Sequence, residues 1–311
     1  MSEQQFKRIK RTISGVLLLD KAHGISSNTA LQQVKRLFQA EKAGHTGNLD
    51  PLATGLLPLC FGEATKFSQY LLDADKIYQA VIKLGATTTT GDVEGEIISQ
   101  HPVTVSQLQA EQALKKFIGP VQQIPPMFSA LKHQGKALYT YARAGIEIER
   151  KVREITIYSL DLDKFSGDEL TVTVSCSKGT YIRVLAEDIG AELGCGAHLK
   201  ALRRIATGGF DLSQALTLTQ LELMTPEQRD ACLLPADCLL EGLPKVTLDS
   251  ESAYYVQQGQ EVWQAKQSNT GLVSLYGPDQ AFLGLGEITD AGKIAPKRLV
   301  VTAKNLVAAL P

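Results

Sequence analysis

No run in these 311 residues approaches the roughly 20 consecutive apolar residues of a membrane-spanning helix, so none is expected. The polar start MSEQQFKRIKR leads into GVLLL, too short for the core of a secretory signal peptide. The five cysteines (Cys60, Cys176, Cys195, Cys232, Cys238) are odd in number, scattered and without CxxC spacing. They indicate neither a disulfide framework nor a zinc site, and a reducing cytoplasm is the expected compartment. HExxH, a carboxylate cluster at metal spacing, a nucleophile elbow and the Lys-Ser/Thr ending of a phosphate loop are all missing. Metal hydrolase, triad hydrolase and nucleotidase readings therefore lack support. A net charge of −1 gives no global sign of a polyanion partner. There is no internal repeat and no long low-complexity segment.

What is present is ordinary in bulk: 44% hydrophobic and 21% charged residues, in a chain long enough for two domains. The charge is unevenly distributed. From Lys132 to Arg153 six basic residues stand against Glu147 and Glu149, and HLKALRR adds Lys200, Arg203 and Arg204. Between Asp211 and Glu261 nine acids face only Arg229 and Lys245. Such segregation is the footprint of a phosphate-contacting face on a near-neutral protein. Solvated helix faces produce the same counts.

Periodicity predicts a short buried strand over GVLLLD (15–20), then a helix capped by Ser26, Ser27 or Asn28 and running to about Lys42. IYQAVIKLG (77–85) alternates as a strand, with Tyr78, Ala80, Ile82 and Leu84 on its apolar face. Ser106 and Gln109 form a capping box for a helix through Ile118, ended by Gly119 and Pro120. LTVTVSC (170–176) reads as a second alternating strand, turning at Gly179 into a helix over IRVLAEDIGAELG. Thr225-Pro226 opens another helix, with Gln228 placed for a reciprocal cap. From about residue 243 short strand-like runs alternate with turns (GLVSLYG, AFLGLGEI, RLVVTA), the pattern of a small β-barrel or sandwich. The expected domains are 1–243 and 244–311.

The segment GHTGNLDPLATG (44–55) carries the most chemistry. Asp50 precedes Pro51, which biases it toward extended backbone, and Gly44, Gly47 and Gly55 permit turns or close approach. That presents an acid in a set direction, as a nucleophile or general base requires. The same residues also read as a helix start, with Asp50 as N-cap and Pro51 at the first helical position. Residue pattern alone leaves both open. It adds only Tyr78 on a buried strand face and Arg183 beside a strand end as companions for the carboxylate.

The run GHTGNLDPLATGLLP resembles the catalytic motif of the TruB-type pseudouridine synthases, which isomerise the T-loop uridine at position 55 of tRNA. GVLLLDKAHGISSN, EATKFSQYLLDADKIYQA, IPPMFSALKHQGKALYTYARAG, SKGTYIR and LGCGAHLKALRR resemble successive blocks of that family, in its order. FLGLGEI and APKRLVV are similar to the small PUA domain that follows the catalytic domain in bacterial members. The likeness covers nearly the whole chain. It implies an α+β protein: a mixed β-sheet catalytic domain flanked by helices, then a small C-terminal PUA-like β-barrel. It implies Asp50 as nucleophile, without metal or cofactor, Tyr78 as the tyrosine that stacks on the target base and transfers protons, and Arg183 as ion-pair partner of the carboxylate. A guanidinium so placed favours the ionised form of an acid. His45, Tyr181 and Leu202 match positions lining the uridine pocket or the opened T-loop, and Lys21 and Lys132 fall in neighbouring blocks. Without the likeness, Tyr78 and Leu202 read as core.

The chemistry explains such a site. The N-glycosidic bond must break, the base rotate, and the sugar rejoin at carbon 5, so the base has to leave the folded T-arm and stay captive against an aromatic ring. The sequence departs from the family pattern at Ala22, where proline is usual, and at Asn48, where threonine or alanine is common; neither removes a reacting group. The implied partner is the T-arm of tRNA, with the C-terminal domain on the acceptor stem or 3′ end, no membrane, and a monomeric protein. Two other functions stay in play: an RNA-binding tRNA-folding factor with incidental or lost catalysis, and an unrelated carboxylate enzyme acting on a small molecule. Binding through phosphates weakens steeply with salt, whereas small-molecule turnover hardly responds.

Overall fold

The computed structural model describes residues 10–263 and 270–301. Nearly all of MSEQQFKRIKR and the last two residues of RLVVTA lie outside them. The first half of the chain lays down β1 (Gly15–Lys21), β2 (Ala43–His45), β3 (Thr54–Phe61), β4 (Lys76–Leu84), β5 (Ala86–Thr88), β6 (Ile97–Gln100) and β7 (Gly119–Gln123). A small hairpin, β8 (Lys132–His133) and β9 (Lys136–Ala137), precedes β10 (Arg153–Phe165), β11 (Glu169–Cys176), β12 (Ala197–Thr207), β13 (Phe210–Asp211) and β14 (Leu216–Thr217). One mixed sheet orders these as β14-β1-β3-β12-β4-β11-β10-β7, with β2 alongside β3 and β13 alongside β12. Among the described residues only β1–β14 and β3–β12 run parallel in it. The α+β class expected from the sequence is the one found.

Alternation decides which face of the central strands is covered. On β4 the residues Lys76, Tyr78, Ala80, Ile82 and Leu84 are buried while Gln79 is exposed. The helices Ser27–Leu37, Gln107–Lys115 and Ile182–Glu192 contribute Ala30, Leu31, Val34, Ala110, Leu114, Leu185 and Ile189 to the core with Ile82, Val172 and Val174. Burying a Leu, Ile or Val side chain contributes about 1.5–3 kcal/mol, so this layer anchors the strands that carry the site.

Local signals set the helix starts. Ser26 accepts from Thr29 N at 3.0 Å, and Ser106–Gln109 and Thr225–Gln228 form the reciprocal caps read from sequence. Two expected boundaries shift. The first helix ends at Leu37 rather than Lys42, because Gln39 turns the chain at positive φ and Ala40 bridges to Arg11. The helix expected through Ile118 stops at Lys115, and Gly119-Pro120 opens edge strand β7, a position where a missing N–H is tolerated.

A second sheet begins at β15 (Lys245–Thr247). With β16 (Val262–Trp263), β17 (Gly271–Tyr276), β18 (Phe282–Ile288) and β19 (Lys293–Leu299) it makes a curled five-stranded half-barrel, order β15-β17-β18-β19-β16. Its own core gathers Val246, Val256, Val273, Leu275 and Ile294. Phe282 packs edge-on against Phe67, and the Tyr276 hydroxyl donates to Asp237 at 2.8 Å, joining it to the short helical segments around Phe67 and Asp237.

Candidate active site

The loop between β2 and β3 is tied down at four points. Thr46 N donates to Pro58 O at 3.2 Å and Gly24 N to Pro51 O at 2.8 Å. Ser27, buried at the start of its helix, uses one hydroxyl twice: it accepts from Leu49 N at 2.8 Å and donates to Leu49 O at 3.0 Å. Ala53 N then closes a turn on Asp50 O at 3.0 Å, and β3 follows at once. The alternative of a helix beginning at Asp50 is thereby overturned. Gly55–Phe61 pairs with the whole of β1, and Gly55, at φ +97°, lies so close to Arg204 that a Cβ would strike its backbone. Asp50 is left on a turn, half exposed.

Arg183 opens the helix Ile182–Glu192 and is buried. Its Nη2 lies 3.0 Å from Asp50 Oδ2 and its Nη1 3.6 Å from Asp92 Oδ2. Carbonyls complete the setting: Nη1 donates to Thr90 O at 3.1 Å and Nη2 to Phe128 O at 2.6 Å. One guanidinium is thus shared between an exposed and a buried carboxylate, and the buried one is itself held by Thr90 Oγ1 at 2.6 Å and Glu94 N at 3.1 Å. A buried charge requires such pairing.

Asp50 and Arg183 stand at a cavity of about 250 Å³, also lined by Tyr78, Lys76, Ser129, Tyr181, Leu202 and Arg204. Tyr78 is buried, and burial pushes its hydroxyl pKa up, against the opposing pull of Arg204. Burial raises Tyr181 as well. The Tyr181 backbone is gripped by the buried Gln123 amide, which accepts from Tyr181 N at 3.0 Å and donates to Tyr181 O at 3.3 Å. Burial lowers Lys76 to about 8, although its Nζ donates to the carbonyls of Leu72 and Ala74.

Lys21 and His45 are not among the residues that line the cavity. Lys21, 1% exposed, donates to Ala22 O at 2.9 Å and Ile25 O at 2.7 Å. Burial lowers it to about 8, opposed by the charge of Asp50. His45 is also lowered by burial, and among the described residues its Nδ1 has no hydrogen-bond partner. Lys132 is exposed on the β8–β9 hairpin, outside the cavity lining. The run HLKALRR lies on strand β12, not a helix, and is not a free basic face: Lys200 pairs with Glu169, Arg203 with Asp20, and Arg204 is buried. In the 132–153 run Lys132, Lys136, Arg143, Lys151 and Arg153 remain exposed.

The sequence matches three family descriptions: TruB family pseudouridylate synthase (N terminal domain) over residues 35–182, tRNA pseudouridylate synthase B C-terminal domain over 183–241, and Pseudouridine synthase II TruB, C-terminal, over 244–300. It is 62% identical over 296 residues to tRNA pseudouridine synthase B of Methylobacillus flagellatus, covering 95% of this chain and 98% of the relative. The chain belongs to the TruB family of pseudouridine synthases. The corresponding protein of Pseudomonas aeruginosa is 54% identical over 300 residues, covering 95% of this chain and 99% of that one. Among solved structures, a Cbf5-Nop10-Gar1 complex contains a chain with a TM-score of 0.70 and 26% identity, covering 93% of this chain and 86% of that one.

Several residues of this TruB-family cavity carried no legible signal. Asp92 sits in TTTTGDVEG, which reads as a plain turn, and Arg204 reads as one more charge in a basic run. Ser27 reads as a candidate cap, and Gln123 and Ser129 as ordinary polar residues. Asp92, Arg204, Ser27 and Gln123 are each recruited by a contact with a distant part of the chain.

Proposed function

We propose that the protein converts uridine to pseudouridine in tRNA, acting at position 55 of the T-loop with Asp50 as nucleophile. The observation that carries this is the Asp50–Arg183 pair, 3.0 Å apart, at the mouth of a cavity walled by Tyr78, Tyr181 and Leu202. At about 250 Å³ the cavity falls below the roughly 300–1,000 Å³ of pockets for drug-sized ligands. It suits one flipped base, with its sugar at the mouth beside the half-exposed carboxylate. Arg183 holds that carboxylate ready to react at the sugar. Tyr78 forms the floor on which the base stacks and serves as the proton-transfer group. Tyr181 and Leu202 confine the detached ring while it turns.

The 1–243 segment is the catalytic domain in this reading, and 244–311 the PUA-like RNA-binding domain that reaches the acceptor stem or 3′ end. The exposed cations of the 132–153 run, Lys132 among them, meet T-arm phosphates. Lys21 and His45 support the site from outside the cavity lining. The protein acts as a monomer in the cytoplasm. The test uses tRNA tritiated at carbon 5 of uridine. The intact protein should release tritium from position 55, and Asp50→Asn should bind the same tRNA and release none. Release that persists in the variant refutes Asp50 as nucleophile; tight binding without release by either protein favours a tRNA-folding factor.

A further inference from the structure

Arg204, 2% exposed, stands on β12 opposite Tyr78 on β4. Its Nε donates to Leu56 O at 2.7 Å, and its Nη1 faces the open side of Gly47, 3.5 Å from where a Cβ would sit. Nη2 is buried at the cavity wall and has no partner at hydrogen-bonding geometry among the described residues. The available acids are taken elsewhere: Asp50 and Asp92 pair with Arg183, and Asp20 with Arg203. Lys21, His45 and Lys76 are close enough for Arg204 to depress their proton affinity. A buried guanidinium among cations, with no carboxylate of its own among the described residues and one donor idle, is costly to hold.

The neighbour able to become an anion is the Tyr78 phenol. The charged or titratable groups facing it are Arg204 from β12, Cys176 from β11, Asp50 from the loop, and Lys76 two residues earlier on its own strand face. We propose that Arg204 is a positioning residue for Tyr78: its guanidinium orients the phenol and balances the negative charge its oxygen bears during proton transfer. This rests on the reading of the site as a pseudouridine synthase.

The protons balance with Tyr78 alone. When the N1–C1′ bond breaks, its electron pair leaves with the uracil, and the phenol gives its proton to N1. Carbon 5 then displaces the Asp50 carboxylate, which took C1′ when N1 left, and once the C1′–C5 bond has formed the phenolate takes the proton from carbon 5. Uridine has become its isomer, Tyr78 is a phenol again, and nothing external is consumed. Between the two transfers Arg204 Nη2 has the partner it now lacks. Hydrogen bonds of this kind are often long in a free enzyme and tighten in the complex.

The test places fluorotyrosine at position 78 of the full chain and follows its titration by fluorine NMR with Arg204 intact, in Arg204→Lys and in Arg204→Met. Single-turnover rates on carbon-5-tritiated tRNA are measured for the same Arg204 series with Tyr78 and with Tyr78→Phe. Loss of the neighbouring cation should raise the phenol midpoint by about one pH unit or more in Arg204→Met, and less in Arg204→Lys. The rate should fall about 100-fold in Arg204→Met with binding unchanged. Adding either Arg204 change to Tyr78→Phe should cost nothing further. An unmoved midpoint in a folded variant, or rate losses that multiply in the double variant, overturns the proposal. Should Arg204→Met fail to fold, Arg204→Lys carries both readouts. A moved midpoint in a protein that releases no tritium overturns the proton-transfer role through the functional reading. An unmoved midpoint beside normal release overturns Arg204 alone.

Discussion

Ser27→Ala isolates how the fold aims Asp50. The Ser27 hydroxyl is buried and makes two bonds to one residue, accepting from Leu49 N at 2.8 Å and donating to Leu49 O at 3.0 Å. Alanine fits the space but leaves a buried N–H and a buried C=O unpaired. Each such group costs about 1–3 kcal/mol if it stays dry. Asn48 and Asp50, on either side of Leu49, are exposed, so the loop can bow outward and let water reach these groups. We therefore expect a stability loss of about 1–3 kcal/mol, below the sum of two full penalties. The relief moves Asp50 relative to Arg183, and a misplacement near 1 Å can cost about 100-fold in rate. Single-turnover tritium release should fall about 10- to 100-fold while tRNA affinity holds. The control is Ser26→Ala, which removes the helix cap one residue away and should cost about 1 kcal/mol without slowing turnover. If urea unfolding and turnover do not distinguish Ser27→Ala from Ser26→Ala, the hydroxyl does not position the loop.

Asp92→Asn should slow turnover about 10- to 100-fold at unchanged tRNA affinity, since Arg183 would lose its buried counter-charge while the polar contacts to Thr90 and Glu94 persist; a parent-like rate would show that Asp50 alone orients Arg183. Gly55→Ala should destabilise the protein by more than about 1–3 kcal/mol in urea, because strain at φ +97° adds to collision with the Arg204 backbone. Lys76 makes a pH prediction. Burial holds it at about 8 in the folded state against an ordinary 10.5, so between these values the unfolded chain binds more protons. Its contribution to stability is therefore least favourable below about 8 and improves as pH rises toward 10.5. Compared with Lys76→Met, the parent should gain urea resistance between pH 7.5 and 9.5; equal slopes would contradict the burial of its charge.

The amino-acid sequence by itself determined the local elements and the family. Alternation marks β4 and β11, capping boxes at Ser106 and Thr225 start their helices, and the blocks from GVLLLD to APKRLVV carry the likeness to pseudouridine synthases. These are short-range signals: strand period 2, reciprocal caps over three residues, and motifs of contiguous residues. Tertiary structure alone decided what surrounds Asp50. Whether Asp-Pro begins a helix or a turn depended on β3 finding β1. Arg183 sees two carboxylates only because its helix meets loops 133 and 91 residues earlier in the chain, at Asp50 and Asp92. The register of β12 on β4 sets Arg204 opposite Tyr78 and turns a run that reads as a basic face into pairs with Glu169 and Asp20 and one buried guanidinium. A strand pattern specifies which face a side chain occupies, whereas its neighbour across the sheet is set by register and packing over long sequence separations.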